Sequence, residues 1–311
     1  MTQTGTVVKA QSGFFWVAEG DEVVRCVLRG RLKKSRVPTD IATLGDRVQW
    51  TPTSNGEGVI EAVAERHSKL ARRAAGSKGI WKEDVLVANL DQVLTVFAVA
   101  NPTPHLRMLD RYLVMAELNN IDAIIIGNKC DLRPQAEIEA LFAPYMGIGY
   151  RVLLTSVRAG IGVDAVQELL KDKISALSGP SGVGKSSMLN AVQPGLGLRV
   201  SDVSGDTGAN HGRGRHTTVH PELITLDFGG FVADTPGIRE LGLWQVPPAD
   251  LDWCYREFRP FIGDCRFQPC SHVHEPECAI QAAVKRGEIN EIRYDSYVRM
   301  REEVDSAVLV R

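Results

Sequence analysis

Nine consecutive residues, GPSGVGKSS, occupy Gly179–Ser187 of this 311-residue chain, and the first eight fit the pattern G-x-x-x-x-G-K-[ST]. Glycines at this spacing let a loop wrap closely around phosphate groups with its N–H groups turned inward. Lys185 supplies a cation for the β- and γ-phosphates, and the Ser186 hydroxyl can ligate Mg²⁺. The expected phosphate site is thus Gly179, Pro180, Ser181, Gly182, Val183, Gly184, Lys185, Ser186 and Ser187. Asp234-Thr235-Pro236-Gly237 follows the apolar run FVA. An Asp at a strand end can hold Mg²⁺ through water, and Gly237 can give its N–H to a γ-phosphate. Asn128-Lys129-Cys130-Asp131 follows the apolar AIIIG. The Asp131 carboxylate can accept from both the N1–H and the exocyclic amine of guanine, which adenine cannot offer. Asn128 can contact the base edge, the Lys129 stem can lie over the ring, and Cys130 is the variable position. Ser156 and Val157, after YRVLL, would close the base pocket with backbone N–H groups. Each shorter motif also fits an ordinary strand-to-loop exit; together they describe a guanine nucleotide site with Mg²⁺.

A second constellation lies near the C-terminus. Cys265, Cys270, His272 and Cys278 offer three thiolates and an imidazole, a closed tetrahedral set with no open position, so structural rather than catalytic. His274 is the rival ligand, and reduced buried cysteines are the plainer alternative. Cys254, further upstream, reads as a core residue. Such crowding of cysteines in a cytosolic protein favours metal over disulfides.

Composition sets the frame for these sites. The chain is 44% hydrophobic and 24% charged, with a net charge of −2, as in ordinary globular proteins. No apolar run approaches the roughly 20 residues that span a bilayer, and the N-terminus lacks the layout of a signal peptide. A cytosolic protein without a membrane partner is expected, and nothing suggests oligomerisation, so a monomer is expected too. Residues 1–75 hold twelve Lys/Arg against eight Asp/Glu, six of the twelve between Arg25 and Arg36. That cluster is either a phosphate-facing patch or a strand edge kept soluble by charge.

The elements that must position the sites follow from periodicity. Residues 1–75 contain short β-like runs (TVVKA, FFWVA, VVRCVL, RVQW, GVIEAV) between Gly, Asp and Asn turns, which predicts a five-stranded barrel of OB type. Residues 66–83 are basic and broken by Gly76 and Gly79, and read as a linker. Beyond them strands and helices alternate: QVLTVFAVA, a helix through Leu106, Leu109, Leu113 and Leu118, AIIIGNK, a helix near Glu137–Phe142, YRVLLTS, VDAVQELLKD, ISALSG and KSSMLNAV. This alternation predicts a parallel, doubly wound α/β sheet. The tail beyond Cys278 has helical stretches of mixed charge. The expected domains are 1–75, 76–245 and 246–311.

The order of the motifs is unusual. In an ordinary GTPase the base-reading motif follows the phosphate loop; here NKCD and TSV come first, then GPSGVGKSS, then DTPG. Joining the old ends and cutting elsewhere leaves a packed sheet intact when the termini lie close together. Residues 84–178 therefore read as the second half of a circularly permuted GTPase domain. The permuted order resembles one family, the ribosome small-subunit-dependent GTPases, RsgA. The likeness extends over nearly the whole chain and includes ANLDQVL (88–94), LDRYLVMAE (109–117), GNKCDL, SGPSGVGKSSMLN, GRHTTVH (214–220), DTPGIRE and the cysteine cluster. It implies an OB-fold, a permuted P-loop GTPase domain and a C-terminal zinc domain with ligands Cys265, Cys270, His272 and Cys278. It also implies GTP hydrolysis stimulated by the small (30S) ribosomal subunit and its rRNA, late in that subunit's maturation. The competing reading is an RNA-binding scaffold whose nucleotide site only switches conformation. Where the family has Ser-Ala in its base-closing loop, this chain has Ser156-Val157.

Two features bear on catalysis. Residues 204–220 contain four glycines with Arg213, Arg215 and His216, a composition suited to a switch segment ordered by γ-phosphate and Mg²⁺. Thr217 or Thr218 would give the second hydroxyl ligand, with Thr218 preferred. The residue after DTPG is Ile238, where many GTPases place a Gln that orients the attacking water. Slow hydrolysis by the free protein follows, and another group must position water. His216 is the candidate, beside Lys185 as the phosphate-bound cation; the alternative for His216 is a contact with rRNA phosphate or a cap on its own loop.

Overall fold

The computed structural model describes residues 2–20, 22–33, 40–74, 82–198, 222–234 and 246–309. Two compact units emerge. The first comprises Met1–Gln92, Val163–Leu177 and Gly184–Glu240; the second comprises Val93–Gly162, Ser178–Val183 and Leu241–Arg311.

The first unit opens with five strands: β1 (Gln3–Gln11), β2 (Phe14–Glu19), β3 (Glu22–Leu28), β4 (Arg47–Pro52) and β5 (Gly58–Val63), with a single helical turn, α1 (Gly30–Lys33), after β3. Strand β2 lies antiparallel between β1 and β3, β3 pairs parallel with β5, and β4 runs antiparallel to both β5 and β1. The ring therefore closes in the order 1-2-3-5-4-1, which leaves no free edge. This is the expected OB-type barrel, and its closure explains the alternation in the sequence. Val7, Phe15, Val17, Cys26, Val48, Trp50 and Ile60 point inward and are buried together. The basic cluster faces carboxylates: Arg25 pairs with Glu57, and Arg29 and Arg31 both pair with Glu61. These three arginines belong to a solvated edge rather than an unpaired patch, and exposed pairs of this kind contribute at most about 1 kcal/mol each.

The stretch expected to be a linker carries structure. Strand β6 (Lys69–Ala74) pairs antiparallel with β7 (Lys82–Ala88). Leu70, Val85 and Val87 are buried, which anchors the ribbon despite its basic composition. Gly76 and Gly79 lie outside the described residues.

The same unit contains α4 (Val163–Leu170), β11 (Ile174–Ser178), α5 (Lys185–Val192), β12 (Glu222–Thr225) and β13 (Phe231–Asp234). Strands β11 and β13 run parallel, with Ile174 opposite Phe231 and Ala176 opposite Ala233. Their carboxyl ends lead to Gly179 and to Asp234, so one edge of the sheet presents both the phosphate loop and the strand-end Asp, the edge where open α/β sheets bind ligands.

The second unit holds β8 (Gln92–Ala98), α2 (Leu106–Leu118), β9 (Asp122–Asn128), α3 (Gln135–Gly147) and β10 (Arg151–Thr155), with α6 (Ala279–Lys285) and α7 (Glu291–Leu309) from the C-terminal segment. Every residue of β8 is buried, as its continuous apolar run demands. Helix α2 is buried on two faces. Leu109 and Leu113 pack with Phe97, Ile125 and Phe142, while Val114 and Met115 pack with Leu251, Tyr255, Phe258, Tyr297 and Met300 of the C-terminal segment. Between these cores Arg293 of α7, 2% exposed in its side chain, pairs with Asp110 of α2 at 2.5 Å and with Glu257 at 2.7 Å. The Tyr145 hydroxyl of α3 donates to the same Asp110 oxygen at 2.9 Å. An arginine can be buried here because two carboxylates and the Tyr255 ring, 4.7 Å from the guanidinium carbon, take over from water.

Candidate functional site

The base-reading motif is held at the carboxyl ends of two parallel strands in register. Asn128 ends β9 directly opposite Thr155, the last residue of β10. The Asn128 amide is buried, and both of its ends are engaged. Its Nδ2 donates to the Val183 carbonyl at 2.7 Å, and its Oδ1 accepts from the Thr155 hydroxyl at 3.0 Å. Lys129, in the left-handed region at φ 60°, sends its ammonium to the Gly182 carbonyl at 2.9 Å and to the Asn101 carbonyl. The sequence suggested that Asn128 reaches the base edge; the geometry adds a second duty, fastening the base-reading loop to the first half of the phosphate loop. Cys130 and Asp131 follow in a short helical turn, with the Asp131 side chain exposed and free of the core. Burial and the neighbouring Asp131 carboxylate raise the Cys130 thiol, which keeps it protonated.

The closing loop is a tight turn. Ser156 N–H donates to the Ile161 carbonyl, the Ile161 N–H donates back to Ser156, both at 2.9 Å, and the Ser156 hydroxyl accepts from Ala159 N–H at 3.1 Å. The Ser156 N–H is thus engaged inside the turn, and Val157 beside it is half-buried.

The phosphate loop shows why its glycines are needed. Gly179 has φ +125°, and a Cβ there would lie 2.1 Å from the Val96 carbonyl oxygen. No side chain fits, so the loop passes directly over β8. Gly184 sits at φ 100° and caps α5, whose first residues are Lys185 and Ser186. The positive end of the dipole of α5 therefore lies at Gly184, the end from which a helix favours an anion. Ser186 is half-buried on the first turn. Asp234 closes β13 opposite Glu222 of β12. His216, Thr217, Thr218, Gly237 and Ile238 lie outside the described residues.

Cys265, Cys270, His272 and Cys278 converge in the second unit, with their four ligand atoms all within 4.8 Å of one another. Cys265 Sγ lies 3.8 Å from Cys278 Sγ, and His272 Nδ1 lies 3.5 and 3.4 Å from these two sulfurs. A tetrahedron with metal–sulfur bonds of about 2.3 Å and a metal–nitrogen bond of about 2.0 Å has edges of roughly 3.8 and 3.5 Å. Cys265, Cys278 and His272 thus stand at the spacing of three corners of a zinc tetrahedron, with Cys270 within 4.8 Å of them. Burial acts to raise the Cys265 thiol, but the Ala279 N–H at 3.4 Å and the neighbouring thiols outweigh it and hold the group below its ordinary value. The rival His274 is exposed and stands outside this group. Cys254 is buried in the apolar core and pushed up to about 12, chiefly by burial, as expected of a core thiol. Asp252, which the sequence did not single out, reaches His272 Nε2 at 3.2 Å. Among the described residues no helix is long and apolar enough to cross a membrane.

Comparison with known proteins agrees with this geometry. A family model described as RsgA GTPase matches residues 63–244, and one described as RsgA N-terminal domain matches residues 4–60. Proteins named small ribosomal subunit biogenesis GTPase RsgA are similar along nearly their whole lengths. The one from Gemmatimonas aurantiaca is 46% identical over 304 residues, covering 97% of each chain. The one from Moorella thermoacetica is 42% identical over 300 residues, covering 96% of this chain and 97% of its own. Among solved structures, YjeQ from Thermotoga maritima superposes with a TM-score of 0.78 at 36% identity, covering 98% of this chain and 99% of its own. YloQ, described as a circularly permuted GTPase, superposes with a TM-score of 0.75 at 31% identity, covering 98% and 96%.

Proposed function

The chain belongs to the RsgA GTPase family, and from that premise we propose that it hydrolyses GTP in the biogenesis of the small ribosomal subunit. The observation that carries the nucleotide half of this reading is the pair of contacts from Asn128 and Lys129 to the carbonyls of Val183 and Gly182. They join a guanine-reading motif to a phosphate-binding loop that follows it in sequence, as a permuted GTPase requires. In this reading Asp131 selects guanine, Ser156 and Val157 close the pocket, and residues 179–187 cradle the phosphates. Mg²⁺ is held by Ser186, Asp234 and Thr218, while Gly237 meets the γ-phosphate. Lys185 neutralises charge as it develops on the transferred phosphoryl group. His216 positions the attacking water, because Ile238 cannot.

The finer partner is the 30S subunit with its rRNA, engaged late in maturation by one copy of the chain, which places the protein in the cytosol. Zn²⁺ bound by Cys265, Cys270, His272 and Cys278 holds the C-terminal segment in shape and takes no part in hydrolysis. The test is GTP turnover by the purified chain with and without small subunits, alongside co-sedimentation in GDP and in a non-hydrolysable GTP analogue. Turnover raised at least tenfold by small subunits, with binding favoured by the GTP analogue, supports the reading. Tight binding without added turnover would instead favour the scaffold. Large subunits serve as the control and should stimulate nothing.

A further inference from the structure

The cysteine–histidine cluster is built around a histidine held from three sides. His272 has φ 62°, in the left-handed region that non-glycine residues seldom adopt. Two hydroxyls of α7 keep its backbone there. Tyr294 donates to the His272 carbonyl at 2.7 Å, and Tyr297 donates to the Ser271 carbonyl at 2.8 Å. The ring itself is gripped by Asp252. One carboxylate oxygen, Oδ1, accepts the Trp253 N–H at 2.8 Å, which fixes the carboxylate; the other, Oδ2, faces His272 Nε2 at 3.2 Å. Asp252 follows Leu251, a fully buried member of the core around α2, which anchors its backbone.

A carboxylate only accepts, so Nε2 must carry the ring hydrogen. The other nitrogen, Nδ1, is then a bare lone pair. It is this nitrogen that stands 3.5 and 3.4 Å from the sulfurs of Cys265 and Cys278. The geometry points to Asp252 as the positioning residue of the metal cluster: it selects the Nε2–H tautomer of His272, aims Nδ1 at the ion and strengthens the ring as a donor. This inference rests on the reading of the four residues as a Zn²⁺ site. Partners of this kind at metal-bound histidines commonly govern 10- to 100-fold in metal affinity.

The test uses the full chain. Metal content of the unaltered protein comes first; less than about half an equivalent of Zn²⁺ after chelator-free purification would refute the underlying site rather than the role of Asp252. Zn²⁺ affinity is then measured by competition with a chromophoric chelator for D252N, D252A and, as a control, D250N, whose carboxylate is exposed and two residues away. The expected result is a loss of at least tenfold in D252N and D252A with D250N unchanged. Affinities of D252N and D252A within threefold of the parent would overturn the inference. Because D252A could misfold, the unaltered protein loaded with Co²⁺ gives an independent reading. The His272 Nε2–H should appear as a slowly exchanging, paramagnetically shifted proton resonance, and it should exchange faster in D252N. An Nε2–H that already exchanges rapidly in the unaltered protein would also overturn it.

Discussion

Replacing Asn128 by alanine separates the two duties that the site assigns to this side chain. The substitution removes the donor to the Val183 carbonyl and the acceptor for the Thr155 hydroxyl, at 2.7 and 3.0 Å. Asn128, Thr155 and Val183 are all at most 2% exposed, so water cannot replace the lost partner without rearrangement. Each lost hydrogen bond is worth about 1 kcal/mol net, and each buried group left without a partner costs about 1–3 kcal/mol. Partial relaxation of the exposed half of the phosphate loop recovers some of this, which leaves roughly 3 kcal/mol. Thr155→Val, which removes one of the two bonds and leaves the buried Asn128 Oδ1 without its donor, should cost about 2 kcal/mol. The assay has two parts. Urea unfolding without nucleotide reports the brace, and GDP affinity by fluorescence titration reports the site. A brace must act even when no base is present, so N128A should lower the urea midpoint of the nucleotide-free protein and weaken GDP on the order of a hundredfold. If nucleotide-free stability is unchanged while GDP binding falls, Asn128 is a base contact only, and the reasoning from Val183 and Thr155 is wrong.

Three further outcomes are expected. Asp131→Asn exchanges the guanine acceptor for an amide, so GTP should weaken by about 3 kcal/mol, roughly a hundredfold, with xanthine nucleotides gaining; titration with GDP and XDP checks this, and GTP affinity within threefold of the parent counts against it. Arg293→Met leaves Asp110 and Glu257 buried without their cation, a defect of about 3–5 kcal/mol; thermal unfolding should show it, and a midpoint within a degree of the parent would mean that the network contributes nothing net. His216→Ala should leave 30S binding intact and lower subunit-stimulated turnover at least thirtyfold, a threshold set just below the roughly 10²–10⁴-fold typical of positioned acid–base groups, whereas loss of binding would assign His216 to the subunit contact instead.

The sequence made both candidate constellations legible, because each is a short pattern whose spacing is set by the chemistry it would serve. Gly179 had to be glycine, and the structure gives the reason in the 2.1 Å approach of its would-be Cβ to the Val96 carbonyl. The barrel was legible too, since closing five strands buries one face of each and prints an alternation of two. What the sequence hid was the second layer. Asp252, Tyr294 and Tyr297 all lie 20 or more residues from His272 and share no motif with it. The motif suggests that Asn128 can contact a base edge, but it does not announce the contacts of its amide with Val183 and Thr155. Arg293 lies in a helix of mixed charge, which carries no sign of its burial, yet it is among the most buried side chains described. The pairing of Lys69–Ala74 with Lys82–Ala88 was masked by basic residues, which are compatible with a ribbon anchored on one face by Leu70, Val85 and Val87.

These omissions have one physical origin. A residue that touches substrate or metal is constrained in type by the ligand's chemistry and in spacing by the loop that carries it. A residue that holds such a ligand in place is constrained only by where the fold brings it, and any element that passes within 3 Å can supply it. For the cysteine–histidine cluster the helix α7 does this through two tyrosine hydroxyls, and the same helix carries Arg293 to Asp110 of α2. Helix α2 begins just beyond Asn101, whose carbonyl receives the Lys129 ammonium. Within the second unit, therefore, the support of the cysteine cluster and the support of the base-reading loop share α2 as a common frame. A substitution in that frame, such as Arg293→Met, is expected to register both as weaker metal retention and as weaker GDP binding, whereas Cys270→Ser acts on the metal first. Measuring both affinities in both variants tests whether α2 transmits the change: a loss of metal affinity in R293M with GDP binding untouched would confine the role of Arg293 to the C-terminal segment.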